Sequence, residues 1–147
     1  MIKTRPTGKM VFVWSLDPAL DKSDKQAARD AYRTYWETLD HSKLPVVKGE
    51  KLTEFWLERL SRADYVASCE LEAHSSQRSN GFIVGATLKD VVNFEGADGA
   101  PLRLEFTDEG RVKPEILERL HVHPSLFNEM AQFALLKSHM DPTRGRS

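Results

Sequence analysis

Short apolar runs alternate along this chain with segments whose apolar positions recur at helical spacing, and the two periods predict most of its elements. Met10-Val11-Phe12-Val13-Trp14 is short, continuous and β-prone, which fits a buried strand better than a helix. Asp17-Pro18 stops it, because proline lacks an N–H and restricts the residue before it. Ser23, with Gln26 three residues on, has the form of a capping box. Ala27, Ala28, Ala31, Tyr32, Tyr35 and Trp36 then mark the apolar stripe of a helix of roughly 15 residues, whose other face carries Arg29, Asp30, Arg33 and Glu37. Asp40-His41-Ser42 and Pro45 break that helix, and Leu44 to Gly49 reads as a connector with a turn at Gly49.

Lys51 to Glu70 is the segment that frames the rest. Leu52 to Leu57 is dense in aromatic and β-prone residues and reads as a strand. Ser61, three residues before Asp64, caps a helix with apolar Ala63, Val66, Ala67 and Leu71. Ser75 to Gly81 is the most polar stretch, expected as a mobile surface loop or a frayed helix end. Phe82 to Val92 sets Val84, Leu88 and Val91 on one helical face, with a strand as the competing reading because of Gly85 and the β-branched residues. Asn93 to Gly99 is turn-rich, and Leu102 to Phe106 alternates as a half-buried strand closed by Asp108-Glu109-Gly110. Pro114 leads a short helix to Leu120, and Ser125 opens a last one with Leu126, Phe127, Met130, Phe133 and Ala134 on its core face. Residues 1–8 and 141–147 read as flexible arms. The expectation is one α+β domain over residues 1–147, with about four helices and a short sheet of about three strands.

Composition narrows the function. At 147 residues, 40% hydrophobic and 29% charged, the chain has the balance of one globular domain with a single core. A formal charge of −1 lacks the concentrated positive field that a nucleic-acid protein needs. Lys3, Arg5 and Lys9 at one end and Arg144 and Arg146 at the other read as solubilising tails. A single cysteine, Cys69, cannot form an intramolecular disulfide and suits a reducing compartment. No run approaches the length of a membrane span, and the N-terminus lacks the apolar core of a secretion signal.

Candidate chemistry is sparse. His121 and His123 flank one valine, with Cys69, His74 and His139 as further conceivable ligands, but no metal-ligand motif supports a site. Cys69 reads as a small core hydrophobe within its helix. Neither a nucleophile elbow nor a phosphate loop occurs, so no catalytic residue, metal or cofactor is assigned. The aromatic residues are the remaining signal. Adjacent Phe55 and Trp56 point to opposite faces of a strand: either one ring packs inward and the other is exposed or covered by a partner, or flanking helices bury the strand on both faces. Trp56, and Trp36 with Tyr32, are the candidate protein-binding residues.

LTEFWLERLS (52–61), GATLKDVVNFEGADG (85–99), Pro114 to Leu120 and LFNEMAQFALL (126–136), in that order, resemble the element pattern of tailed-bacteriophage tail assembly chaperones over roughly residues 50–137. The resemblance implies a small non-enzymatic protein that binds a tape-measure protein or other virion subunits. The aromatic-rich N-terminal 48 residues depart from that pattern and leave room for a structural subunit of the neck, connector or decoration type. A small inhibitor or regulator of a host protein is the alternative from another class. Other phage proteins are the implied partners, self-association is expected, and the implied location is the host cytoplasm, or the virion for a structural subunit.

Overall fold

A computed structural model describes residues 9–94 and 101–139. Strands β1 (Lys9–Phe12), β2 (Glu54–Glu58) and β3 (Leu88–Val92) form one antiparallel sheet in the order β1-β2-β3. Helices α1 (Lys25–Thr38), α2 (Arg62–Glu72), α3 (Ser76–Thr87), α4 (Pro114–Leu120) and α5 (Pro124–His139) complete the α+β domain. Both strand connections are long: α1 links β1 to β2, and the α2–α3 pair links β2 to β3. The two apolar runs do become strands, and Met10, Val11, Phe12, Phe55 and Leu57 are all buried. The arms at 1–8 and 141–147, and Glu95 to Gly99 of the turn-rich segment, lie outside the described residues.

The core centres on α5, whose expected inward face is buried throughout. Phe133 lies 5.2 Å from the Phe12 ring, stacks on Tyr35 at 5.8 Å and meets Trp36 edge-on at 5.2 Å. One side chain thus ties β1, α1 and α5 together. The edge of β1 that faces away from β2 carries backbone groups needing partners. Two tyrosines supply them. The Tyr35 hydroxyl accepts from the Val13 N–H at 2.9 Å and donates to the Val11 carbonyl at 2.5 Å, and Tyr32 donates to the Val13 carbonyl at 2.5 Å. Helix α1 therefore closes the sheet edge where a fourth strand would otherwise sit.

Several local expectations are corrected. The α1 cap is Asp24 and not Ser23: Asp24 accepts from the Ala27 N–H, while the Gln26 side chain donates to Asp30. Ser75 to Gly81 is neither a loop nor a frayed helix end. Ser75 caps α3, and the polar run is its first half, with Ser79 buried against α2. Helix α2 turns inward at Tyr65, Ser68 and Leu71 and leaves Ala63 and Val66 exposed. Small residues win this face because the two helices close up there: Ser79 donates to the Ser68 carbonyl at 3.1 Å, and Ser68 back-bonds to the Tyr65 carbonyl at 2.7 Å. Cys69 falls on the outer face and is exposed, so it is no core residue.

Residues 82–92 are both readings in series, helix to Thr87 and strand from Leu88. The third strand is this one and not Leu102–Phe106. In the latter, Leu102 and Leu104 are half-buried and Arg103 and Glu105 exposed, as the alternation demands. Among the described residues it pairs with no strand of the sheet, however: the Leu102 N–H donates to the Phe94 carbonyl at 3.1 Å, and Phe106 bridges Val112 around the Asp108-Glu109-Gly110 turn, where Gly110 has φ +80°. The returning segment is tied to α3 at Gly85, whose carbonyl accepts from the Val112 N–H at 3.0 Å.

A candidate protein-binding cleft on helix α1

The segment after β1 is held at three points. Asp17, buried, accepts from the N–H groups of Ala19 and Thr53 at 2.9 Å each. Residues 19–21 run antiparallel to 45–47 through the Asp21 N–H to Pro45 carbonyl and Val47 N–H to Ala19 carbonyl bonds, with a bridge at Leu20–Val46. Ser15 donates through its N–H and hydroxyl to the Glu129 carboxylate of α5, at 3.2 and 2.6 Å, and the Tyr32 hydroxyl lies 3.3 Å from the same carboxylate. Burial pushes the Tyr32 phenol well above its ordinary range, and the Glu129 charge pushes the same way. Chemically these contacts form a lock between the chain after β1, α1 and α5.

Between this fixed segment and α1 lies a cleft of about 590 Å³. Leu16, Leu20 and Pro45 make one wall, Ser15 and Tyr32 contribute hydroxyls, and Ala28 leaves room between them. Leu16 is 53% exposed, a large apolar side chain left uncovered. The α1 side carries Lys25, Arg29 and Arg33, and Lys22 lines the cleft from the chain just before the helix. Lys25, Arg29 and Arg33 recur one per helical turn, about 6 Å apart along the axis. Among the described residues none of the four has a carboxylate within 4 Å. Arg111, by contrast, is paired with Asp64 at 3.1 Å and lies over the Phe82 ring at 4.2 Å. The one carboxylate lining the cleft is Asp21, held below the usual carboxylate range by hydrogen bonds from Ser23. A second hollow of about 420 Å³ lies between α3, α4 and α5, lined by Leu117, Phe127, His121 and the exposed Val122 among others.

Of the three residues singled out from the sequence, Tyr32 lines the cleft, with its hydroxyl turned inward to Val13. Trp36 is one turn further along α1, half-buried on Phe133, with the Lys137 ammonium 6.0 Å from its ring centre. Trp56 is elsewhere, half-buried on the sheet face opposite Phe55 and Leu57, so the structure does not bring the three together. His121 packs edge-on against Phe127 at 4.8 Å and His123 against Trp14 at 5.3 Å. No group of three His, Cys, Asp or Glu side chains converges among the described residues. The Leu16 wall and the unpaired cations were not foreseen. The four-residue recurrence of Lys25, Arg29 and Arg33 was the available signal, and it reads locally as a solvated helix face. No protein-family model, curated protein or solved structure matches the chain.

Proposed function

We propose that this protein is a non-enzymatic assembly protein that works by binding other proteins, with the α1 cleft as its contact surface. The observation that carries this is the pairing of the exposed Leu16 side chain with four cations that have no counter-ion among the described residues. What sets this patch apart is its grouping: four cations line one cleft, three of them in register on one helix, beside exposed Leu16, which fits a surface kept for another molecule. The resemblance of the element order to tail assembly chaperones suggests phage tail or virion subunits as the partners. Residence in the finished particle is the second form of the same proposal, since a chaperone leaves and a structural subunit stays.

A photo-crosslinking residue placed at Leu16 or Arg29, in cells infected by the phage that carries this gene, tests it. The expected outcome is an adduct with one phage protein in the lysate, absent from purified particles. An adduct retained in particles identifies a structural subunit, and an adduct with a host protein alone replaces the assembly role with an inhibitory one. Adducts that form from a probe at Val122 and not from the cleft positions would move the contact surface to the other hollow.

A further inference from the structure

We infer that the cleft takes an acidic amphipathic helix of a different chain, its apolar side on Leu16 and Pro45 and its carboxylates on the cation row of α1. This rests on the cleft being the contact surface proposed above, and it specifies the chemistry of the occupant. Three cations one turn apart on α1 match carboxylates one turn apart on a helix lying alongside, whereas a ligand with a single anionic head would satisfy one or two of them. An extended peptide has similar spacing but needs a free strand edge for its own backbone. The nearest edge, that of β1, is already closed by the tyrosine hydroxyls on Val11 and Val13. A helix brings its backbone satisfied and needs no such edge.

Two other occupants fit less well. Single-stranded nucleic acid carries charges at comparable spacing, but it binds by stacking bases on exposed rings. The facing wall is leucine and proline, and the one ring in the cleft, Tyr32, has its hydroxyl bonded inward. A second copy of this chain would need a helix with three carboxylates at four-residue spacing, and none of the described helices has one.

The test is selection of a displayed library of random peptides, about 16 residues long so that four helical turns are possible, on the full chain. Enriched peptides are then synthesised and their binding measured by fluorescence anisotropy at low and high salt. They should carry Asp or Glu one turn apart beside an apolar stripe and should weaken as salt rises. Arg29→Glu with Arg33→Glu should reduce their binding by about tenfold or more and, on reselection, should enrich basic peptides instead. Leu16→Asp should weaken the same peptides, and Val122→Asp should not. All of these positions are exposed, and an unchanged circular dichroism spectrum confirms that each variant folds. Failure to enrich any peptide overturns the inference. So do enriched peptides without acidic residues, and if Leu16→Asp still weakens those, the cleft remains the contact surface and only the acidic helix is lost. Peptides indifferent to both the Leu16 and the arginine variants remove the cleft as well. A thymidine oligonucleotide that binds more tightly than every peptide would make the row a nucleic-acid site.

Discussion

Removing one oxygen from Tyr35 should cost this fold a large part of its stability. The Tyr35 ring is 1% exposed and its hydroxyl bridges the Val13 N–H and the Val11 carbonyl, on residues that are 0% exposed. Tyr35→Phe keeps the ring on Phe133 and deletes that bridge. Water cannot readily replace it, so two backbone groups are left unpaired at about 1–3 kcal/mol each, or about 2–6 kcal/mol together. At about 3 °C per kcal/mol for a chain of this length, the midpoint should fall by roughly 6–18 °C. Urea unfolding followed by circular dichroism should show a lower midpoint with an unchanged slope, and the Val13 amide should lose hydrogen-exchange protection ahead of the β2 amides. A loss below about 0.5 kcal/mol, within the range of ordinary surface substitutions, would refute the claim that tyrosine hydroxyls close the sheet edge.

Asp17→Ala strands the buried Ala19 N–H and the Thr53 N–H and should cost about 2–4 kcal/mol, read by urea unfolding; a value near zero would mean that water serves the loop equally well. Trp56→Phe should stay within about 1 kcal/mol of the parent, because it removes an enclosed indole N–H with no partner among the described residues, while Trp56→Ala should cost about 2–4 kcal/mol. Light scattering should give the same mass for both, and an oligomer falling to a folded monomer in Trp56→Ala would make that ring an interface anchor. Gly85→Ala should be neutral to slightly stabilising, by up to about 0.5 kcal/mol, since the added Cβ meets Leu117 Cδ1 at 3.4 Å and helix propensity improves. A clear loss there would show that the Leu117 side chain cannot yield. The raised Tyr32 pKa has a signed consequence: the folded phenol holds its proton where an unfolded tyrosine, with its ordinary value of 10.0, releases it. Its contribution is therefore whole below pH 10 and lost as pH climbs above it, so thermal midpoints should fall more steeply on that side in the parent than in Tyr32→Phe.

Local sequence was enough where an element's period and its cap are written in neighbouring residues. Met10–Trp14 and Leu52–Leu57 could be read as strands, Ser61 as a cap, and Leu126, Phe127, Met130, Phe133 and Ala134 as one buried face, because each depends on spacing within a turn or two. The α+β class follows from those elements. Where two distant segments compete for one place, spacing could not decide. Leu102–Phe106 alternates like a strand, yet Leu88–Val92 holds the edge of β2, because strand pairing depends on what the rest of the chain brings alongside. The Ser68 face of α2 is inward only because α3 presses against it, and the polar opening of α3 is a helix because Ser75 caps it and its buried face packs on α2. The cleft shows the same division. The spacing of Lys25, Arg29 and Arg33 was legible, but whether a cation finds a carboxylate, and whether Leu16 finds a cover, depends on which residues the fold sets opposite them. That is a property of the tertiary structure alone.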